Sequence, residues 1–185
     1  MIVIGITGTL GAGKGTIVDY LLNDKGFAHF SVREFISEEI IRQGMPVDRD
    51  SMVTVANSLR ASHSPSYIVD CLFEKAVHAG KNCVIESIRT PGEVESLKKK
   101  GNFILIAVDA RPELRYERIL LRNSETDQIT FPIFLENEKR EMDSSDPNKQ
   151  NLRRCIEMAD FIFNNNSTID GLITQVAGML EKYTA

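Results

Sequence analysis

Three stretches of this chain bring together residues whose types and spacing can do chemistry. The first is GTLGAGKGT at residues 8–16, directly after the apolar run MIVIGI. It spells GxxxxGK with Gly8, Gly13 and Lys14, followed by Gly15 and Thr16. Glycines let a backbone turn with its N–H groups pointing inward, the helix that starts near Gly13 adds the positive end of its dipole, and Lys14 adds a mobile charge. That chemistry holds phosphate. A plain Walker A motif puts Ser or Thr straight after the Lys; here Gly15 stands there and the hydroxyl of Thr16 comes one place later. The loop backbone from Gly8 through Gly11, Ala12, Gly13 and Gly15 to Thr16 is the expected nucleotide-binding surface.

The second stretch is VIESIRTPGEVESLKKKG, residues 84–101. An apolar strand ends in Glu86, Arg89 follows, and Pro91 opens a helix. In an open α/β sheet ligands sit beyond the carboxyl ends of the strands, so Glu86 and Arg89 project where the phosphate loop also lies. A carboxylate there can hold Mg²⁺ or its waters, and an Arg there can fork onto a phosphate; the plainer alternative is a local surface ion pair. The third stretch carries Arg111, Arg115, Arg118 and Arg122, whose offsets put all four on one helical face. Either Glu113 and Glu117 answer them in a solvated charged face, or Arg118 and Arg122 reach a triphosphate.

The elements that must position these groups can be read from periodicity. Strand-like apolar runs occur at 2–6, 27–30, 83–86, 103–108 and 160–163. Helical patterns fit 14–24, 32–43, 49–62, 65–79, 91–100, 112–122, 132–142, 148–158 and 168–182, with Pro147 starting the eighth. Alternating strands and helices predict an α/β fold, a five-stranded parallel sheet with helices on both faces. Residues 1–30, 80–122 and 148–185 then form the core of one domain spanning 1–185. Three helical patterns within about 31–79 exceed what a crossover needs and suggest an acceptor-binding insertion. A polar excess, NSETDQITFP at 123–132, opens a lid region over about 123–147.

Composition bounds the function class. A formal net charge of -4 speaks against nucleic acid or an anionic membrane as the main partner. The three cysteines, at 71, 83 and 155, form no CxxC pair, and the three histidines are far apart, so no metal framework is visible. The N-terminal apolar run stops at Gly5 and Thr7, too short for a signal or a membrane span. A soluble, cytoplasmic protein acting on small molecules is expected.

The loop GTLGAGKGT resembles the GxxGxGKGT loop of nucleoside monophosphate kinases, including Gly in place of the first hydroxyl. HFSVREF at 29–35 looks like their HISTGDL segment, and ESIRTPGEVESLKKKG looks like DGFPRTxxQAExL shortened by one residue. The tail ADFIFNNNSTIDGLITQV instead resembles the ADxVIxNNG ending of dephospho-CoA kinases, a neighbouring branch of the same fold. The resemblance implies a three-layer P-loop fold, ATP as donor and Mg²⁺ as cofactor. It implies that Lys14 bridges the transferred phosphoryl, that Arg89 holds the acceptor phosphate, that Arg118 and Arg122 serve as lid arginines, and that Thr16 and Glu86 stand near Mg²⁺. The family's Arg three places after its Asp falls here on Ser37, and Arg33 or Arg60 could replace it. Glu93 falls where adenylate kinases place a Gln that reads adenine. An ionised carboxylate only accepts hydrogen bonds and would suit a base edge presenting donors, guanine or cytosine; alternatively Glu93 complements the helix dipole.

A phosphate monoester acceptor needs positioning but no general base. Dephospho-CoA kinases, which phosphorylate a hydroxyl, carry a DxD motif where this chain has Ser31 and Arg33, although Glu34 could be recruited as a base. The sequence thus favours a nucleoside monophosphate kinase, with dephospho-CoA kinase as alternative and a non-catalytic nucleotide-binding regulator as the reading of another class. NKQN at 148–151 lacks the Asp of a guanine-reading NKxD, which speaks against a GTPase switch. The acceptor base and sugar, donor preference and oligomeric state are not encoded in any motif.

Overall fold

A strand covered on both faces must be apolar throughout, and β1 (Val3–Gly8) is buried at every position. A computed structural model describes residues 1–122 and 128–184. In it β1 is the centre of a five-stranded parallel sheet of order β2-β3-β1-β4-β5, with β2 at Ala28–Ser31, β3 at Cys83–Glu86, β4 at Phe103–Asp109 and β5 at Phe161–Asn164. The alternation of patterns predicts this parallel sheet with helices on both faces, and the architecture is the three-layer P-loop kinase-like fold that the resemblance implies.

Each face of the sheet has its own core. On one face Ile4 and Ile6 pack with Ile17 and Leu21 of α1 (Lys14–Asn23) and Leu172 and Val176 of α9 (Ile169–Thr184). On the other, Val3, Ile85 and Leu105 pack with α2 (Val32–Arg42), α3 (Arg49–Ser62), α4 (Tyr67–Ala79) and α5 (Pro91–Lys99). α6 (Pro112–Arg122), α7 (Phe131–Met142) and α8 (Leu152–Glu157) complete the described helices. Three helices, α2 to α4, do stand between β2 and β3. Among the described residues no helix is long and apolar enough to cross a membrane. Of the expected lid loop, residues 123–127 lie outside the described residues.

One boundary needs correction. The eighth helix begins at Leu152, not near 148, because Asn151 is its N-cap, accepting from the Arg154 N–H. Pro147 lies in the preceding turn, where the Asp146 carboxylate accepts from the Asn148 N–H.

The strand order reverses where β3 and β4 flank β1, and the register sets Ile6 opposite Glu86 and Gly8 opposite Val108. The phosphate loop therefore leaves the sheet beside Glu86. Its first turn permits no side chain at Gly8, whose φ is +138° and where a Cβ would lie 2.1 Å from the Val108 carbonyl oxygen. Gly15, by contrast, has ordinary dihedrals and open space around it. Gly8→Ala is expected to cost about 2–4 kcal/mol in urea unfolding. Gly15→Ala, in the first turn of α1, should be neutral or stabilising by up to about 1 kcal/mol. Equal destabilisation by the two would contradict this account of the turn.

Candidate active site

A loop that turns its N–H groups inward leaves its carbonyls needing donors, and here three elements supply them. The Asn165 side chain, just past β5, donates to the Ala12 carbonyl at 2.9 Å. Arg115 of α6 donates to the Leu10 carbonyl at 3.3 Å and to Ala110 at 2.6 Å, and pairs with Glu138 of α7. The Lys14 ammonium folds back onto the carbonyls of Gly8 and Thr9, each at 2.8 Å. Thr9 is anchored in turn by its hydroxyl, which donates to Asp109 at the end of β4 at 2.6 Å.

The half-buried Lys14 is the most perturbed cation of the site. Desolvation pushes its pKa down to about 7, with nearby Arg89 adding to the effect and Glu141 and Glu86 opposing it.

At the end of β3, the Glu86 carboxylate accepts from the Ser31 hydroxyl at 3.0 Å, and His29 Nε2 stands 3.5 Å away, an ion-pair distance. Burial works against its ionisation, but the imidazole and hydroxyl outweigh it and hold its pKa below the ordinary value. The same carboxylate raises the pKa of His29. Glu86 is thus ionised and partnered by β2 rather than by Arg89, which removes the reading of a local Glu–Arg surface pair.

Arg89 reaches across to α7. It donates to Glu141 at 2.5 Å and to Gln150 at 2.8 Å, while Arg49, the first residue of α3, holds the other Glu141 oxygen at 2.5 Å. Burial would raise the Glu141 pKa, but Arg89 and Arg49 more than offset it and keep the carboxylate ionised. Two guanidinium groups therefore converge on one carboxylate.

These groups share one cavity of about 600 Å³. Gly11, Ala12, Gly13, Lys14, Gly15 and Thr16 form one wall; Arg118 and Arg122 of α6 and Glu86 flank it; Arg89, Arg49, Arg60 and Arg33 lie toward the helices α2 and α3. Arg118 donates to the Asn165 carbonyl at 2.9 Å. Gly8 enters the site through its carbonyl alone.

Three expected contributions change. Glu93 does not line the cavity: it is fully buried, one oxygen accepting twice from Arg60 at 2.8 and 3.1 Å, the other from the Arg89 and Thr90 N–H groups at 2.8 and 3.0 Å. With both oxygens engaged it cannot read a base edge, and it closes a capping box with Thr90 instead. Glu34 lies exposed in the first turn of α2 and is not among the cavity-lining residues. In the arginine stripe, Arg111 is exposed and Arg115 is buried against the loop; its acid is Glu138, not Glu113 or Glu117.

No motif points to Arg49, Glu138, Glu141, Gln150 or the Asn165 side chain. Only Thr90-x-x-Glu93, a capping-box pattern, carried a readable signal for what the structure shows. Among the described residues no group of three or more His, Cys, Asp or Glu side chains could hold a metal.

A family model described as AAA domain matches residues 4–144. A UPF0200 protein of Methanococcus vannielii is 32% identical, covering 98% of this chain and 96% of its own. TT1252 from Thermus thermophilus superposes with a TM-score of 0.63 at 18% identity, covering 100% of this chain and 98% of that one. Shikimate kinase from Acinetobacter baumannii, solved with shikimate, does so with a TM-score of 0.63 at 15% identity, covering 100% and 95%. At those identities the likeness is one of fold.

The depressed Lys14 pKa makes ATP binding pH-linked. Above about pH 7 the free protein holds this amine largely neutral, and a bound triphosphate raises its pKa again, so binding must take up a proton. Titration calorimetry at pH 8 in buffers of different ionisation enthalpy should show uptake approaching one proton, fading toward pH 6. ATP affinity should weaken by up to about tenfold per unit of rising pH in that window. Absence of uptake at pH 8 would mean that Lys14 is charged in the free protein.

Proposed function

The chain belongs to the AAA domain family, and on that premise, with the fold of P-loop kinases, we propose that it is a small-molecule kinase that transfers the γ-phosphate of ATP to a nucleoside monophosphate. The observation that carries this reading is the clasp of Arg49 and Arg89 on one carboxylate, in the cavity that the phosphate loop walls. Two guanidinium forks converging on an oxygen pair suit a phosphate monoester, and two positive charges against one negative leave room for a further anion. An acceptor that is already a phosphate dianion requires no general base.

Each group then has a task. The Gly11 to Thr16 backbone takes the donor phosphates at the head of α1. Lys14, released from the Gly8 and Thr9 carbonyls, follows the transferred phosphoryl. Arg118 and Arg122 neutralise charge on the donor side, and Arg89 with Arg49 orients the acceptor for in-line attack. In this reading Arg49 supplies the arginine contact that the resemblance leaves open at Ser37, whose hydroxyl donates to the Arg33 carbonyl at 2.9 Å. The division into an acceptor-binding segment over about 31–79 and a lid over about 123–147 belongs to the same proposal.

Mg²⁺ fits the donor set: an ionised carboxylate, Glu86, and a hydroxyl, Thr16, line the same cavity, and Mg²⁺ draws its remaining ligands from phosphates and water. Glu86 and Thr16 would hold it, and the ion would add charge neutralisation. A hydroxyl acceptor such as dephospho-CoA is the second reading; the ionised Glu86 favours it, since a base would otherwise have to be the peripheral Glu34.

A coupled assay of ADP release with ATP, Mg²⁺, a panel of ribo- and deoxyribonucleoside monophosphates and, separately, dephospho-CoA tests the proposal. Turnover with monophosphates is expected, with kcat/KM lowered at least about 100-fold in Lys14→Ala and Arg89→Ala. Arg49→Ala should act mainly through a raised KM for the acceptor. Turnover with dephospho-CoA alone would transfer the assignment to the second reading, and ATP binding without any turnover would make the protein a nucleotide-binding regulator.

A further inference from the structure

The acceptor end of the cavity is not uniform in charge. Along α3, Arg49, Met52, Val53, Ala56 and Arg60 all line it. Their spacing places them on one helical face, with the two arginines about 16 Å apart along the axis. At the first end stands the Arg49–Glu141–Arg89 clasp, with an excess of positive charge. Between the ends the wall is apolar. At the far end stands Arg60, 1% exposed, paired with the fully buried Glu93.

That second pair differs from the clasp in two ways. It is electrically balanced, one guanidinium to one carboxylate. It is also unfinished: Nε and Nη2 of Arg60 both bond Glu93, but Nη1, equally buried, has no hydrogen-bond partner among the described residues. A buried donor left unpaired is costly, and a charged one more so. The group that completes it must accept a hydrogen bond. Because Glu93 already neutralises the guanidinium, a second anion there would be buried without a counter-charge, whereas a neutral carbonyl oxygen would not.

Resting on the nucleoside monophosphate reading above, we propose that Arg60 Nη1 is the base-reading donor of the acceptor site and that the acceptor carries a ring carbonyl. The phosphate then lies at Arg49 and Arg89, the ring against Val53 and Ala56, and a carbonyl oxygen of guanine, cytosine, uracil or thymine meets Arg60. Adenine is the poor fit. Its acceptor nitrogens N1 and N7 flank an amino donor, and Glu93, the carboxylate paired with Arg60, has both oxygens taken. The amino group would face a donor and lose its own partner. This reverses the expectation from sequence: the base edge is read by a donor, with the carboxylate behind it as a positioning residue.

The test begins with the unaltered chain held with ADP. AMP, IMP, GMP, CMP and UMP are titrated calorimetrically, and each is assayed for turnover with ATP. The best of the carbonyl-bearing monophosphates should bind at least about 10-fold more tightly than AMP, the ratio expected when one buried donor is left unpaired. IMP against AMP is the matched pair, equal in size and differing only at C6, carbonyl for amino, and at the adjoining N1, N–H for lone pair. In the charge-balanced variant Arg60→Met/Glu93→Gln that preference should fall to within about threefold, while ADP affinity stays unchanged. AMP binding as well as or better than every carbonyl-bearing monophosphate in the unaltered chain would overturn the proposal and leave the kinase reading standing. A folded double variant that keeps the preference would also overturn it. Failure of every monophosphate to bind or turn over would overturn both.

Discussion

A phosphate-binding loop is a constraint on everything behind it. The N–H groups that face the ligand commit the carbonyls to face the protein, and a buried carbonyl needs a donor. Here those donors come from α1, α6 and the end of β5: Lys14 for Gly8 and Thr9, Arg115 for Leu10, Asn165 for Ala12. The same residues leave no room at the turn, since a Cβ at Gly11 would lie 2.4 Å from the Arg115 carbonyl oxygen and one at Gly13 would lie 2.4 Å from Asn165 Nδ2. Loop, helix and sheet end are one hydrogen-bonded unit.

From that unit the charges of the site follow outward. Lys14 is poised because its alternatives are carbonyls rather than carboxylates, so burial is not offset by a direct ion pair. Glu86 is ionised because β2 brings Ser31 and His29 alongside it. Arg49 and Arg89 pair with Glu141 rather than with Glu86, so each carboxylate has partners of its own. Each group is set by a neighbour on a different element, and the sheet order, with β3 and β4 on either side of β1, brings those elements to one edge.

This explains what could be read from the residues and what could not. The strands, the phosphate loop and the Glu86–Arg89 pair at a strand end were legible, because each is a local pattern: an apolar run, a glycine spacing, a polar residue just after a buried strand. The match of Arg49 to Glu141 was not, since the two are far apart in sequence and each alone looks like a surface charge on an amphipathic helix. Arg115 shares a helical face with Arg111, Arg118 and Arg122, and periodicity assigns a face, not a depth. Glu93 misled differently. As the third helical residue after Thr90 it is a local capping signal, and the alignment with a base-reading position outweighed it. Pro147 likewise has the residue type of a helix start, but the better cap, Asn151, stands four residues on.

Glu138 and Glu141 sit three residues apart on α7, one tied to Arg115 behind the phosphate loop and the other to Arg49 and Arg89. Residues at that spacing share a helical face, and each residue added or removed between them would rotate one by about 100° relative to the other. A residue inserted or removed between them would therefore break one of the two contacts. Within the helix the stretch from 138 to 141 acts as a ruler between the back of the phosphate loop and the Arg49–Arg89 clasp.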